Sequence, residues 1–303
     1  WEMREKLIAQ AQHDPLNWGW EAPPLAVARA LYAGTYKPGM IGTVTEAGQR
    51  MSSLRHEATD LLLMAGNRGG KSQFAGKLVM ETLLAAPGRL ARCWSQNEER
   101  SITEQQRMVN HHMPPAWRRR KKIGNVGNIS WNQKTGFSER SFVLPLPEGT
   151  SLNTPGSQCM FCTYHQWRGD RTVAEGGEAD LIACDEEAPG ELLETLRFRT
   201  GQRKMRLLVT FTPLQGYTEA VGHYLEGSEI LETVPARRVV WDGWRQTWSW
   251  GDWILPSDQM LVRGCPPGHV PFVLKSAVRE RYAVVFGTTW NLFVPLDEVL
   301  RKC

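Results

Sequence analysis

The stretch Leu61–Ser72, LLLMAGNRGGKS, constrains this chain more than any other. An apolar run that reads as a buried strand ends in a glycine-rich loop, and the loop ends in Lys71 and Ser72 at the head of a helical pattern. Glycines let the backbone curl so that successive N–H groups point inward at a polyphosphate, and the helix that follows adds its positive N-terminal end. In such a loop Lys71 reaches the β- and γ-phosphates and the Ser72 hydroxyl sits on Mg2+. Gly66, Asn67, Arg68, Gly69 and Gly70 supply the backbone around the phosphates. Ala65 occupies the first glycine position of the pattern G-x-x-x-x-G-K-S/T. Gly66 follows directly, so the turn still has a residue free to take positive φ.

The surrounding pattern alternates apolar strands with helices, which predicts a mostly parallel α/β sheet. Strands are expected at 59–66, 90–96, 179–186 and 206–213, with helices at 72–85, 101–113 and 189–198. The 101–113 helix is expected to open on an S-x-x-E capping box, Ser101 with Glu104. Short strands are expected within 123–164, in NISW, SFVLPL and CMFCTYH. Residues 1–58 read as helical segments broken by Pro15, Pro23, Pro24 and Pro38. Residues 235–303 are rich in tryptophan and proline and break the α/β rhythm, so a small C-terminal lid or linker subdomain is expected after a core spanning 59–234.

A phosphate loop needs partners, and LIACDE at 181–186 provides them. A buried strand delivers two carboxylates to its C-terminal end, where open α/β sheets place ligands. Asp185 is expected to hold Mg2+ directly or through water. Glu186 is expected to orient and deprotonate an attacking water; strand alternation would send the two acids in different directions. Glu187 reads either as a helix N-terminal charge or as a further metal contact. A third strand, VTFTP, ends in Thr210, Thr212 and Pro213, and the threonine hydroxyls are expected to bond the water or the γ-phosphate and pass their state to the next loop.

AGNRGGKS, LIACDEEAP and LLVTFTPLQG, in this order, resemble the ATPase motor of the large terminase subunit of tailed phages, and FCTYHQ and EGGEAD fit the same pattern. The resemblance covers about residues 55–220. It implies a P-loop NTPase fold of the additional-strand, catalytic-glutamate type, with ATP and Mg2+ as cofactors. It further implies a homo-oligomeric ring on a portal protein, served by a small terminase subunit, that drives double-stranded DNA into a procapsid in the host cytoplasm. Carried over, Lys71 and Ser72 are the phosphate and Mg2+ residues, and Arg68 is the loop arginine that senses the γ-phosphate. Asp185 and Glu186 are the metal-binding and catalytic acids, with Thr212 beside them, and Thr210–Thr212–Pro213 form the coupling motif. An adenine-holding segment precedes the phosphate loop in this family; LNWGWEAP is its counterpart, with Trp20 for stacking and Glu21 for the exocyclic amine. Ring ATPases complete the site with an arginine from a neighbour, and Arg140, Arg197 and Arg199 are the candidates. The family's nuclease is not expected here, because Asp242, Asp252, Asp258 and Asp297 are scattered among tryptophans.

Composition excludes some alternatives and leaves others open. No apolar run reaches the about 20 residues of a membrane span, and WEMREKLIAQ is no signal peptide. A net charge of +4 permits nucleic-acid binding without arguing for it. Arg118–Lys122 (RRRKK) reads equally as a backbone-tracking patch or a solvated helix end. The tryptophans at 241, 244, 248, 250 and 253 read as packing residues rather than base-stacking platforms. Cys159 and Cys162 form a C-x-x-C without a second pair at zinc spacing, and read as buried apolar side chains. The chain begins at Trp1 and stops at Cys303, so a fragment of something longer is expected. A P-loop helicase or other translocase, and a nucleotide-sensing assembly protein that does not hydrolyse, remain the alternatives.

Overall fold

The computed structural model describes residues 22–114, 117, 129–146, 150–151, 153–174, 178–198, 204–212, 218–235, 237–242, 244, 247–253, 265–266 and 268–287. Two compact units divide the chain: a split unit of Ala22–Gly69 with the residues from Thr212 onward, and an inserted unit that contains Gly70–Phe211. The chain passes from one to the other between Gly69 and Gly70, inside the glycine loop.

The split unit starts with α1 (Pro23–Ala33), β1 (Thr43–Val44), α2 (Glu46–Met51) and β2 (Asp60–Ala65). Pro23 and Pro24 begin α1 rather than break it, because the first helical turn has no use for their missing N–H. Five of the six β2 residues are buried, as the apolar run predicts.

The inserted unit follows with α3 (Lys71–Leu84) and β3 (Leu90–Ser95). The 101–113 segment departs from the expected helix. Asn97 is the cap, its side chain accepting from the N–H of Arg100 at 2.9 Å. Ser101 is buried inside the helix, where the turn Ser101–Gln106 is π-helical before α4 (Arg107–His112) resumes. A capping box can form only where the chain enters a helix, and that point is four residues earlier. Gly76 of α3 lets α4 approach closely: a Cβ there would lie 2.8 Å from the Met108 backbone.

Next come β4 (Trp131–Asn132), β5 (Gly136–Phe137), β6 (Ser141–Val143) and β7 (Gln158–Thr163). CMFCTYH is strand only as far as Thr163. There the Thr163 hydroxyl accepts from the Gln166 N–H at 3.1 Å and the Gln166 side chain accepts from the Thr163 N–H at 3.0 Å, which starts α5 (Tyr164–Gly169). Strands β8 (Leu181–Asp185) and β9 (Arg206–Phe211), with α6 (Gly190–Phe198) between them, complete the unit. Pairing runs β9–β8–β3–β7 in parallel, with β6 antiparallel on β7. Phe137, Phe142 and Phe161 pack together at one side, with ring centroids 4.7–6.3 Å apart. Cys159 and Cys162 are both buried, and the Cys159 sulfur lies 3.8 Å from that of Cys93.

The chain then returns to the split unit through α7 (Glu219–Leu225), β10 (Glu229–Pro235), a β11 (Arg237–Asp242) and β12 (Thr247–Trp253) hairpin, β13 (His269–Lys275) and β14 (Arg281–Phe286). β14 pairs in parallel with the whole of β2, from Arg281 opposite Asp60 to Phe286 opposite Ala65. β13, β10 and β1 add to it antiparallel. Residues 269–286 therefore share a sheet with the strand that feeds the glycine loop, and the expected boundaries at 58/59 and 234/235 do not coincide with the two units. RYAVVF is an ordinary core strand whose apolar signal is diluted by the tryptophans at 241–253. In that hairpin Trp241 stands opposite Trp248, and Trp244 in its turn is 95% exposed. Among the described residues no helix is long and apolar enough to cross a membrane. Arg118–Lys122, residues 1–21 and residues 288–303 lie outside the described residues.

Candidate functional site

The strand–loop–helix geometry follows from the glycines. Positive φ falls on Arg68 (60°) and Gly70 (90°), and Gly66 is not among the left-handed residues. Within the split unit, the Gly66 N–H donates to the Phe286 carbonyl and the Gly69 N–H to the Gly66 carbonyl, both at 3.2 Å. A Cβ on Gly69 would lie 3.1 Å from the Ala65 methyl and 3.2 Å from the Phe286 ring. Close packing thus explains Gly69, and left-handed backbone explains Gly70. Ala65 is buried at the end of β2, so the departure at this position is absorbed as core. Asn67 and Arg68 are exposed.

In the inserted unit Gly70 caps α3, and its carbonyl accepts the N–H of Phe74 at 2.9 Å. Lys71 is only 8% exposed. Burial lowers its ammonium pKa to about 8, against the opposing pull of the Asp185 and Glu186 carboxylates. Both acids are thus electrostatic partners of Lys71. Asp185 is pushed up to about 6, first by burial; the Thr210 hydrogen bond and Lys71 oppose the shift while Glu186 adds to it. A lysine and a carboxylate held this far out of water are costly unless they face each other or a charged ligand.

Asp185 ends β8, and its position is fixed by neighbours on a strand and a helix. The Thr210 hydroxyl, fully buried on β9, donates to Asp185 Oδ1 at 2.7 Å. The Tyr164 hydroxyl donates to the Asp185 carbonyl at 2.8 Å. Glu186 has left the strand and stands at φ 63°, so the two acids diverge through a left-handed turn rather than by strand alternation. A non-glycine residue in that region costs of order 1 kcal/mol and persists where its surroundings over-determine it. Glu187 follows, half-buried, ahead of α6. Ser72 and Asp185 line one small cavity together with Ala75, Gln105, Ala183, Cys184 and Thr210.

The structure therefore brings Lys71, Ser72, Asp185, Glu186 and Thr210 into one neighbourhood of the inserted unit. Thr210 bonds the acid rather than standing at the strand's end as a hydroxyl for water or phosphate. Thr212 follows β9 and is half-buried, and Pro213 lies outside the described residues. So do Trp20, Glu21 and Arg199. Arg197 sits in the last turn of α6. Arg140 has φ 52° in a tight turn beside Glu139 at φ 57°, and its guanidinium grips Glu98 at 3.1 and 2.6 Å. Two neighbours of the acids escaped the sequence reading. Tyr164 stood inside FCTYHQ, next to a legible Thr163–Gln166 capping box. Gln105 had no signal, because its burial depends on the π-turn.

No protein-family model matches the chain, and a search of curated proteins finds no match. Among solved structures it is similar to the large terminase ATPase domain of Thermus phage P74-26, at 12% identity and TM-score 0.46, covering 79% of this chain and 78% of that one. It is also similar to the large terminase of bacteriophage HK97, at 11% identity and TM-score 0.34, over 64% of this chain and 38% of that one. A third is the large terminase of a thermophilic bacteriophage in complex with ADP, at 9% identity and TM-score 0.34, over 56% and 39%. By its own strands and helices the chain is an α/β protein, and it is similar to large terminase structures of several phages. At these identities and scores the likenesses assign no role to any of its residues.

Proposed function

We propose that this chain hydrolyses ATP with Mg2+ and couples the cycle to moving double-stranded viral DNA into a procapsid. The observation that carries this reading is the cavity that Ser72, next to the buried phosphate-loop Lys71, shares with Asp185 at the end of a parallel strand.

The residues fit Mg2+. Ser72 and Asp185 offer hard oxygen donors on one cavity, and Thr210 orients the carboxylate. Mg2+ is usually held by one or two such protein groups, with phosphates and waters completing the shell. When bound, it would supply charge neutralisation between the β- and γ-phosphates. Lys71 and the N–H groups of Gly66–Gly70 hold the phosphates, and Arg68 reads the γ-phosphate. Glu186 takes the proton of the attacking water as its oxygen bonds the γ-phosphorus and the bond to the β-phosphate oxygen breaks, leaving ADP and phosphate. Thr212 and Pro213 carry the change into the following loop.

Trp20 and Glu21 hold adenine, and Arg140, Arg197 or Arg199 completes a neighbouring site in a homo-oligomeric ring. The ring stands on a portal protein, with a small terminase subunit as partner, in the host cytoplasm. An alanine scan of the three arginines in mixed-subunit ATPase assays tests the ring contact, and full activity in all three removes it. Glu186→Ala tests the chemistry: ATP binding is retained and turnover is lost. Unchanged turnover without Glu186 would overturn its assignment as the base.

A further inference from the structure

Gln105 is 5% exposed, in the π-helical turn Ser101–Gln106. Its side-chain Nε2 donates to two strand carbonyls, Trp94 on β3 at 3.2 Å and Ala183 on β8 at 3.3 Å. Two carbonyl acceptors can be served only by the amide nitrogen, so the orientation of the side chain is set and Oε1 points the other way. That oxygen is buried without a hydrogen-bond partner among the protein atoms. Gln105 also lines the cavity shared with Ser72, Asp185 and Thr210, whose volume is about 10 Å3. A space of roughly 10–15 Å3 holds about one water, and it needs two to four polar partners to stay. Gln105, Asp185, Ser72 and Thr210, which line the space, carry such partners.

We propose that Gln105 is a positioning residue for Ser72 and Asp185, acting through one ordered water in this cavity. The water donates to Gln105 Oε1 and to the acid, while the amide ties the ends of β3 and β8 together. The π-turn makes this possible: Gln106, the next residue, is also buried, bonding the Ser101 hydroxyl at 3.0 Å and the Phe137 N–H at 2.9 Å. Two consecutive side chains are thereby anchored to different elements, so Gln105 has little freedom to withdraw.

The role toward metal rests on the reading of Ser72 and Asp185 as the Mg2+ residues. The test titrates Mg2+ against binding of a fluorescent ADP analogue to the full chain. Gln105→Met keeps the shape and removes both polar ends. It is expected to raise the half-saturating Mg2+ concentration about tenfold, as loss of an outer partner of a ligand does, with binding in EDTA unchanged. An unchanged Mg2+ dependence, or an equal loss with and without Mg2+, overturns the proposal. If the wild type ignores the nucleotide, or Lys71→Ala binds as the wild type does, the nucleotide reading fails instead. The water is then decided alone, as it is if Gln105→Met does not fold, by a high-resolution crystal structure of the wild type. A water within about 3.2 Å of Gln105 Oε1 and of Asp185 or Ser72 supports the proposal, and its absence overturns it.

Discussion

Two buried acids, Glu232 in the split unit and Asp185 in the inserted unit, are held in opposite ways. In the split unit Glu232 is fully buried and enclosed by donors: the Tyr36 hydroxyl at 2.6 Å on one oxygen, the N–H groups of Gly42 at 2.7 Å and Ile41 at 3.3 Å on the other. Asp60 is enclosed likewise by the Tyr224 hydroxyl and by the Arg281 Nε at 2.8 Å. In the inserted unit Asp185 is held by Thr210 but also faces a cavity, a lysine and a second acid. Glu232 and Asp60 are cross-links between chain segments more than 150 residues apart. Asp185 is oriented by its neighbours and keeps an approach for a ligand. Satisfaction on all sides marks a structural acid, and partial satisfaction beside a cation marks a working one.

That contrast can be broken by mutation. Glu186→Ala is expected to lower ATP turnover by about 10²–10⁴, the range for a general base, with nucleotide binding kept in a filter or fluorescence assay. Glu232→Ala strands the Tyr36 hydroxyl and two N–H groups, and is expected to cost about 3 kcal/mol of stability in chemical denaturation. ATP turnover per folded molecule should stay at the wild-type value, and a selective loss of activity would make Glu232 more than structural. Thr210→Val keeps the shape of the side chain and removes the bond to Asp185. It should raise the Mg2+ requirement for hydrolysis about tenfold while changing the melting temperature little. Glu98→Gln should alter stability by less than about 1 kcal/mol, because its pair with Arg140 is largely exposed. A larger loss would mean that the strained Arg140 turn depends on that pair.

Much of this contrast was legible in the residues. LLLMAGNRGGKS and LIACDE named a strand, a loop and two acids because short apolar runs bounded by glycine or charge have few other foldings. Long-range pairings were not legible. Arg281 lies opposite Asp60, 221 positions away, and nothing local to RYAVVF states which strand it joins. The Ser101–Glu104 box failed for a similar reason: a good local pattern was pre-empted by Asn97 upstream, and Ser101 was taken into the core.

The sequence by itself determined the chemistry at hand, a lysine and serine after glycines and an acid pair after an apolar strand, because these depend on residue type and spacing alone. Only the tertiary structure decided their relation. It brought Thr210 onto Asp185, set Gln105 and Ser72 on a cavity shared with that acid, and put the left-handed turn on Arg68 and Gly70. The physical reason is that burial and hydrogen-bond satisfaction are properties of neighbours in space. Which residue strains, and which acid stays approachable, is settled when strands far apart in the chain pair.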